Sequence, residues 1–456
     1  MNEKGCSRQY MPLVRLGVPI VIGQIGNIVL GFADTLMVGH HSMEELAAAS
    51  FVNTMIMLFV IFAMGFSYGL TPVVGGRYGR GETDTLGGVV RAGLVANTFL
   101  AVILLAVLAV FYACIDRMGQ PDELLPLMRP YLAVNIISMP FVCWMNTFKQ
   151  FFDAIGDTKV SMCVLLGGNV MNIAGNWLLI YGVGFFPELG LLGAGISTLA
   201  SRVAMAVAFA LLFFMSCRYA SYGRGFMTGG TDWRVLRRLN VLGWPLALQM
   251  GMETAAFSLS AVLVGWIGTT ALAAHQVVIT VSQLFYMIYY GMGAAVAVRA
   301  SYFHGQGDVD SARATAVAGF RIILIIACVV SVPIFMLRGE ISYWFTDSDE
   351  VGALVAQTVV PLIVYQFGDG LQCTFANALR GISYVKPLMF IAFFSYFVVS
   401  LPLGWLLGIH LGFGLVGVWW AFPVCLTCAG ILYYTCFMRR LRREAACGTV
   451  TVNDNN

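Results

Sequence analysis

Charge is what this sequence lacks. Asp, Glu, Lys and Arg together make up 11% of its 456 residues, against about 25% in a soluble domain, so most of its surface cannot face water. Apolar residues supply 59%, and the mean hydropathy is +0.82. The alternating segments of about ten residues that build a membrane barrel are missing too. What remains is long apolar runs with helical periodicity, and a helix satisfies its backbone hydrogen bonds within itself, as hydrocarbon demands. No GKS/T nucleotide loop, metal triad or Ser/His/Asp set stands in a loop, so neither enzyme chemistry nor a cofactor is expected. The eleven cysteines are scattered, lie mostly inside apolar runs and show no His-rich metal spacing, so they read as small buried hydrophobes. The polar start Met1–Gln9 runs straight into a full-length span, which predicts no cleavable signal peptide.

Twelve apolar stretches follow, at 13–38, 46–74, 88–114, 126–152, 158–182, 190–216, 238–267, 273–299, 314–337, 351–379, 385–409 and 412–437, each near the roughly 20 residues a spanning helix needs. The basic residues sort by loop. The N-terminus, the even-numbered loops and the C-terminus, with the span ends beside them, hold 22 of the 26 Lys and Arg, the odd-numbered side holds only Arg117, Arg129 and Arg338, and Arg202 alone lies near the middle of a span. The positive-inside rule then puts both termini in the cytoplasm and requires an even number of spans. A missed or invented helix would scramble this segregation, so it supports twelve independently of hydropathy.

The two halves repeat. A shift of 226 residues lays Leu16, Gly17 and Pro19 on Leu242, Gly243 and Pro245, and Val38-Gly39 on Val264-Gly265. The same shift lays Leu46-Ala47-Ala48 on Leu272-Ala273-Ala274, Gly65 on Gly291, and Gly79 and Gly81 on Gly305 and Gly307. The expected fold is therefore an all-α polytopic membrane protein: two six-helix bundles related by a pseudo-two-fold axis along the membrane normal. The expected divisions are an N-terminal bundle 1–217, a cytoplasmic linker 218–238, a C-terminal bundle 239–440 and a disordered tail 441–456. Parallel repeats of this kind are a transporter architecture, with the substrate path between halves.

An ionised side chain in hydrocarbon costs roughly 2.5–3.5 kcal/mol on insertion scales, which makes each one a functional candidate. Three acids qualify: Asp34, Glu253 and Asp369. Asp34 is also close enough to the end of its span to sit at the outer interface. Asn172 and Asn176 are four apart and share a helix face, Thr198 can add a hydroxyl, and with Asp34 they form an oxygen-rich cluster in the first half. Tyr365 stands one turn before Asp369 in the second. Na⁺ wants several oxygen ligands, whereas one carboxylate suffices for proton exchange. Both clusters suit either ion. Arg202 reads as the partner of an acid or as a snorkelling side chain, and His275 as structural, interfacial or proton-sensing.

Together these residues resemble the multidrug and toxic compound extrusion (MATE) family, in its NorM-like bacterial branch. The resemblance covers about residues 10–440. It rests on the two halves, Pro19, Gly31-Phe32-Ala33-Asp34, the Gly79-Arg80-Gly81 and Gly305-Gln306-Gly307 loops, the Asn172/Asn176 pair, Glu253, and Gln366-Phe367-Gly368-Asp369 with Ala378-Leu379-Arg380-Gly381. It implies antiport of small cationic or zwitterionic organic compounds against Na⁺ or H⁺ in a bacterial inner membrane. It places the coupling ion, Na⁺ if sodium is used, at Glu253, Asp369 and Tyr365, and a second polar site for substrate, proton or cation at Asp34, Asn172, Asn176 and Thr198. Neither nucleic acid nor an obligate protein partner is implied. A lipid-linked-oligosaccharide flippase of the same superfamily is the alternative, with fourteen spans and a more cationic cavity expected. One departure is Val160, where a proline often follows the basic residue of such loops.

Overall fold

Helix is the one way a long apolar run can satisfy its amides in lipid, and the chain takes it throughout. The structure is a computed structural model that describes residues 3–184, 186–230, 232–345 and 348–447. Among these no strand occurs, and twelve helical spans are long and apolar enough to cross a membrane. They are α1 (Cys6–His41), α2 (Met43–Gly79), α3 (Thr83–Arg117), α4 (Leu125–Ala154), α5 (Thr158–Ile180), α6 (Gly190–Met215), α7 (Trp233–Ile267), α8 (Thr269–Gln306), α9 (Val309–Met336), α10 (Asp349–Gly381), α11 (Lys386–His410) and α12 (Gly414–Ala446). Each expected stretch falls on one span. Several spans run past the apolar limit, as α2 does to Gly79 and α8 to Gln306, because backbone hydrogen bonding does not stop where hydropathy does. Span α2 is interrupted at Tyr68–Gly69, and α11 contains two π-helical segments, Phe394–Ser400 and Leu406–His410.

By contact the chain divides into two compact units, Met1–Val21 with Leu248–Asn456, and Ile22–Ala247. Both limits fall inside helices, in α1 and α7, and not in the 218–238 connection. The beginning of α1 packs on α8, and the beginning of α7 packs on α2. These crossings correspond residue for residue under the 226-residue shift. A Cβ on Gly291 would lie 3.0 Å from Val21 Cα, and one on Gly65 would lie 2.8 Å from Ala247 Cα. Likewise a Cβ on Gly17 would meet Met292 Sδ at 2.4 Å, and one on Gly243 would meet Phe66 Cδ2 at 2.8 Å. Later in each unit the pattern recurs: a Cβ on Gly193 would lie 2.5 Å from the Leu179 carbonyl, one on Gly417 2.6 Å from that of Leu407. The repeat read from the sequence is thus also a repeat of contacts.

Each unit has its own core. Val52, Ile56, Leu100, Leu104 and Met139 anchor the unit 22–247. Val278, Val355, Leu362, Trp419, Phe422 and Leu426 anchor the other. Outward faces keep large apolar groups, such as Phe32 at 65% and Phe390 at 66% exposure, as lipid-facing helices do.

Two segments differ from expectation. The connection 218–238 is largely helical: Ala220–Thr228 forms a helix, and α7 already begins at Trp233, so Arg234, Arg237 and Arg238 belong to a span. Arg91 of α3 donates to the Gly229 carbonyl and lies 5.0 Å from the centre of the Phe226 ring. The tail expected to be disordered from 441 stays helical through Cys447. Glu444 is the reason: it is buried, in hydrogen-bond contact with His304 Nε2 of α8 at 3.2 Å and ion-paired with Arg440 at 2.7 Å. Residues 448–456 lie outside the described residues. Cys425 and Cys428 stand in a C-x-x-C spacing on α12 and are free thiols; Cys163, Cys217 and Cys328 are exposed rather than buried.

The crossings make a test. Gly65→Val and Gly291→Val should each lower the melting temperature in detergent by a similar amount, because overpacking costs about 1–3 kcal/mol. Gly167→Ala, with no atom within 4 Å of its added Cβ, should not.

Candidate functional site

The three intramembrane acids sit in two polar clusters, one in each unit. In the unit 22–247, Asn176 of α5 is fully buried, and its Nδ2 donates to Asp34 Oδ1 of α1 at 2.5 Å. One turn earlier, Asn172 donates from Nδ2 to Thr198 Oγ1 and Ser201 Oγ of α6, both at 3.2 Å, and its carbonyl accepts from Ser197 Oγ at 2.8 Å. Helices α5 and α6 approach closely here: a Cβ on Gly175 would lie 2.4 Å from Ser197 Oγ. Beside Asp34 is a cavity of about 80 Å³, lined on its polar side by Asp34, Thr35, Ser50, Asn53, Tyr131 and Thr198. It is large enough for a few waters and too small for a drug-sized molecule. Tyr131 closes one wall by donating to Asn53 Oδ1 at 2.9 Å.

The structure therefore brings all four expected residues of this cluster together. Arg202, expected either to pair with an acid or to snorkel, donates from Nη1 to Ser138 Oγ of α4 at 2.5 Å.

In the other unit, α10 presents Asp369, 2% exposed, with Tyr365 one turn before it at 4%. Glycines on both sides let this helix in close. A Cβ on Gly368 would lie 2.9 Å from Thr427 Oγ1 of α12, and one on Gly370 2.7 Å from Ile323 Cγ2 of α9. Glu253 comes from α7. The Tyr396 hydroxyl of α11 lies beside Glu253 and is bonded to the Gln372 amide, accepting from Nε2 at 2.7 Å. Tyr396 lies in the first π-helical segment of α11, a deviation frequent at functional sites. Glu253 and Asp369 are within electrostatic reach of each other and of the Tyr286 and Tyr365 hydroxyls. Two negative charges in one apolar site repel strongly, and a bound cation removes that cost.

The buried atoms of these clusters that lack a hydrogen-bond partner among the described residues are Asn172 Oδ1, Asn176 Oδ1 and Asp369 Oδ2. All three are acceptors. Both clusters thus present spare oxygen to whatever enters. No group of three or more His, Cys, Asp or Glu side chains is placed to hold a metal among the described residues.

The MatE family model matches residues 19–178 and 245–406, one stretch in each half of the chain. The chain belongs to the MatE family. Among curated relatives, this MatE chain is 28% identical over 441 residues to the multidrug resistance protein NorM of Aliivibrio fischeri, covering 96% of both chains. It is 26% identical over 436 residues to the multidrug resistance protein MdtK of Photorhabdus laumondii, covering 94% of both. Its fold matches a solved MATE in the bent conformation with a TM-score of 0.88 at 20% identity, over 98% of this chain and 99% of that one.

Several residues of these clusters were not singled out from the sequence of this MatE chain: Tyr286, Gln372 and Tyr396 around the acid pair, and Asn53, Tyr131 and Ser201 near Asp34. Gln372 carries a signal, since it lies three residues after Asp369 and shares its helix face. Tyr131 and Asn53 are single uncharged polar residues within apolar runs, and nothing in one sequence pairs them.

The Asp34–Asn176 contact can be measured directly. Asp34→Ala and Asn176→Ala should each destabilise the purified protein by about 1–3 kcal/mol through a partner left unpaired. The double variant should lose less than the sum, with a coupling of about 0.5–3 kcal/mol in a thermal-unfolding cycle. A contact sheltered from solvent should also keep this coupling at high salt, where exposed charges are screened within about 3–10 Å.

Proposed function

We propose that this chain is a secondary active multidrug efflux transporter. In this reading it exports small cationic or zwitterionic organic compounds across a bacterial inner membrane in antiport with Na⁺ or H⁺. Both termini and the 218–238 connection lie in the cytoplasm, as the distribution of basic residues favours. The two six-helix halves alternate between inward and outward access. The relatives in Aliivibrio fischeri and Photorhabdus laumondii are named multidrug resistance proteins, which supports the substrate class. Twelve spans, rather than fourteen, favour export of soluble compounds over the flipping of lipid-linked sugars.

The observation that carries the coupling step is the acid pair. Half-buried Glu253 and buried Asp369 lie together with three tyrosine hydroxyls, and Asp369 Oδ2 has no hydrogen-bond partner among the described residues. A cation that binds there relieves the repulsion of two carboxylates, and its release restores it. The Tyr365, Tyr286 and Tyr396 oxygens offer ligands to Na⁺, and the carboxylates alone serve H⁺. The cluster of Asp34, Asn172, Asn176 and Thr198 acts as a second polar site, with Asp34 as its charge and the amides holding it. Neither role needs a cofactor.

Proteoliposomes loaded with a fluorescent organic cation, with Na⁺ and pH gradients imposed separately, test this reading. One of the gradients should drive accumulation. Glu253→Gln or Asp369→Asn should abolish gradient-driven accumulation while substrate exchange continues, and undiminished accumulation by the double variant would overturn the assignment. Cysteine labelling in whole cells should place the termini and the 218–238 connection inside; labelling of that connection from outside would overturn the orientation.

A further inference from the structure

Outside the two clusters stands His275, near the start of α8. It is fully buried, and its Nδ1 accepts a hydrogen bond from Trp419 Nε1 of α12 at 3.0 Å. Indole nitrogen is a donor only, so this bond exists only if Nδ1 carries a lone pair. The ring is therefore neutral, with its proton on Nε2, and Nε2 has no partner among the described residues. A buried polar ring is costly unless it is hydrogen-bonded, and this ring makes one such bond. What it accomplishes is the placement of Trp419, which is 0% exposed.

From Trp419 two aromatic arms run to the two acids. One is direct: the Trp419 ring packs edge-on against Tyr365 at 6.0 Å and 69°, and Tyr365 stands one turn from Asp369 on the same face of α10. The other passes through Phe422, 5.3 Å from Trp419. Phe422 stacks on Phe257 at 5.0 Å and 15°, and Phe257 stands one turn from Glu253 on α7. Aromatic rings hold such geometry through stacking and edge contacts. These ring contacts connect the indole to both carboxyl-bearing helices.

We infer that His275 is a positioning residue: by fixing Trp419 it sets the spacing of Glu253 and Asp369, and with it the affinity of their site for the coupling cation. This rests on the reading of the acid pair as the coupling site. The consequences separate a hydrogen-bond role from mere filling of space. His275→Leu keeps bulk and loses the acceptor. Trp419→Phe keeps a ring and loses the donor. His275→Asn returns an amide oxygen to the position of Nδ1.

In proteoliposomes, the cation concentration giving half-maximal transport should rise about fivefold in His275→Leu and in Trp419→Phe, the factor an ordinary net hydrogen bond supplies. The double variant should be no worse, and His275→Asn should stay close to the parent. Equal impairment of His275→Asn and His275→Leu, or multiplying defects in the double variant, would overturn the inference. If the acid pair is not the coupling site, Glu253→Gln and Asp369→Asn will leave the cation dependence unchanged, and that failure is recognisable by itself. The link has its own readout in either case. In ¹⁵N NMR of histidine-labelled protein in bilayers, the signal absent from His275→Asn should show a bare, hydrogen-bonded Nδ1 and a protonated Nε2. A protonated Nδ1 would refute the positioning role whatever transport does.

Discussion

Hydrocarbon supplies no hydrogen bonds, and the rest of this structure follows from that constraint. It makes the chain helical, and it also forces the polar side chains within the spans to find one another. Asn176 finds Asp34, Asn172 finds Thr198 and Ser201, Tyr396 finds Glu253 and Gln372, and Tyr289 finds Gln366 at 2.7 Å. Around the acids the pairing is incomplete: Asn172 Oδ1, Asn176 Oδ1 and Asp369 Oδ2 have no partner among the described residues. A closed network would be a structural device. An open one with surplus acceptors suits a visiting cation.

The same constraint changes what holds helices together. Lipid is as apolar as leucine, so helix association draws on close packing rather than on the hydrophobic effect, and small residues mark the seams. Gly65 with Ala247 and Gly291 with Val21 are the same seam made twice. The glycines flanking Asp369 apply this rule at the site itself: they let α9 and α12 close on α10, and the carboxyl between them is sealed from lipid.

Much of this was legible in the sequence. The twelve spans, the duplication and the three acids come from hydropathy, from an ungapped shift and from the cost of charge in lipid. Helical spacing put Asn172 and Asn176 on one face, and the family resemblance implied their grouping with Asp34 and Thr198 on other spans. The limits of the compact units were not, because hydropathy records that a helix is buried in lipid but not which helices it touches; α1 and α7 each serve two sets of neighbours. Glu444 was hidden in a polar tail because its partner His304 lies 140 residues away. Tyr396 was hidden by helix phase. In Phe394-Ser395-Tyr396-Phe397 an α-helical count assigns each ring a direction about 100° from the last, but the π-helical turn shifts that count. The hydroxyl that reaches Glu253 depends on the shift.

The crossing of α1 with α8 bears on how the chain is made. Val21 precedes its partner Gly291 by 270 residues, whereas Ala247 follows its partner Gly65. At about 5–20 residues per second, translation leaves the beginning of α1 without its packing surface for tens of seconds, while α7 meets a finished α2 as it emerges. The two halves, alike in contacts, are unlike in birth order. In the nascent chain the early part of α1 must wait in lipid, shielded by an insertion factor or by its own apolar face, until the second half arrives to receive it.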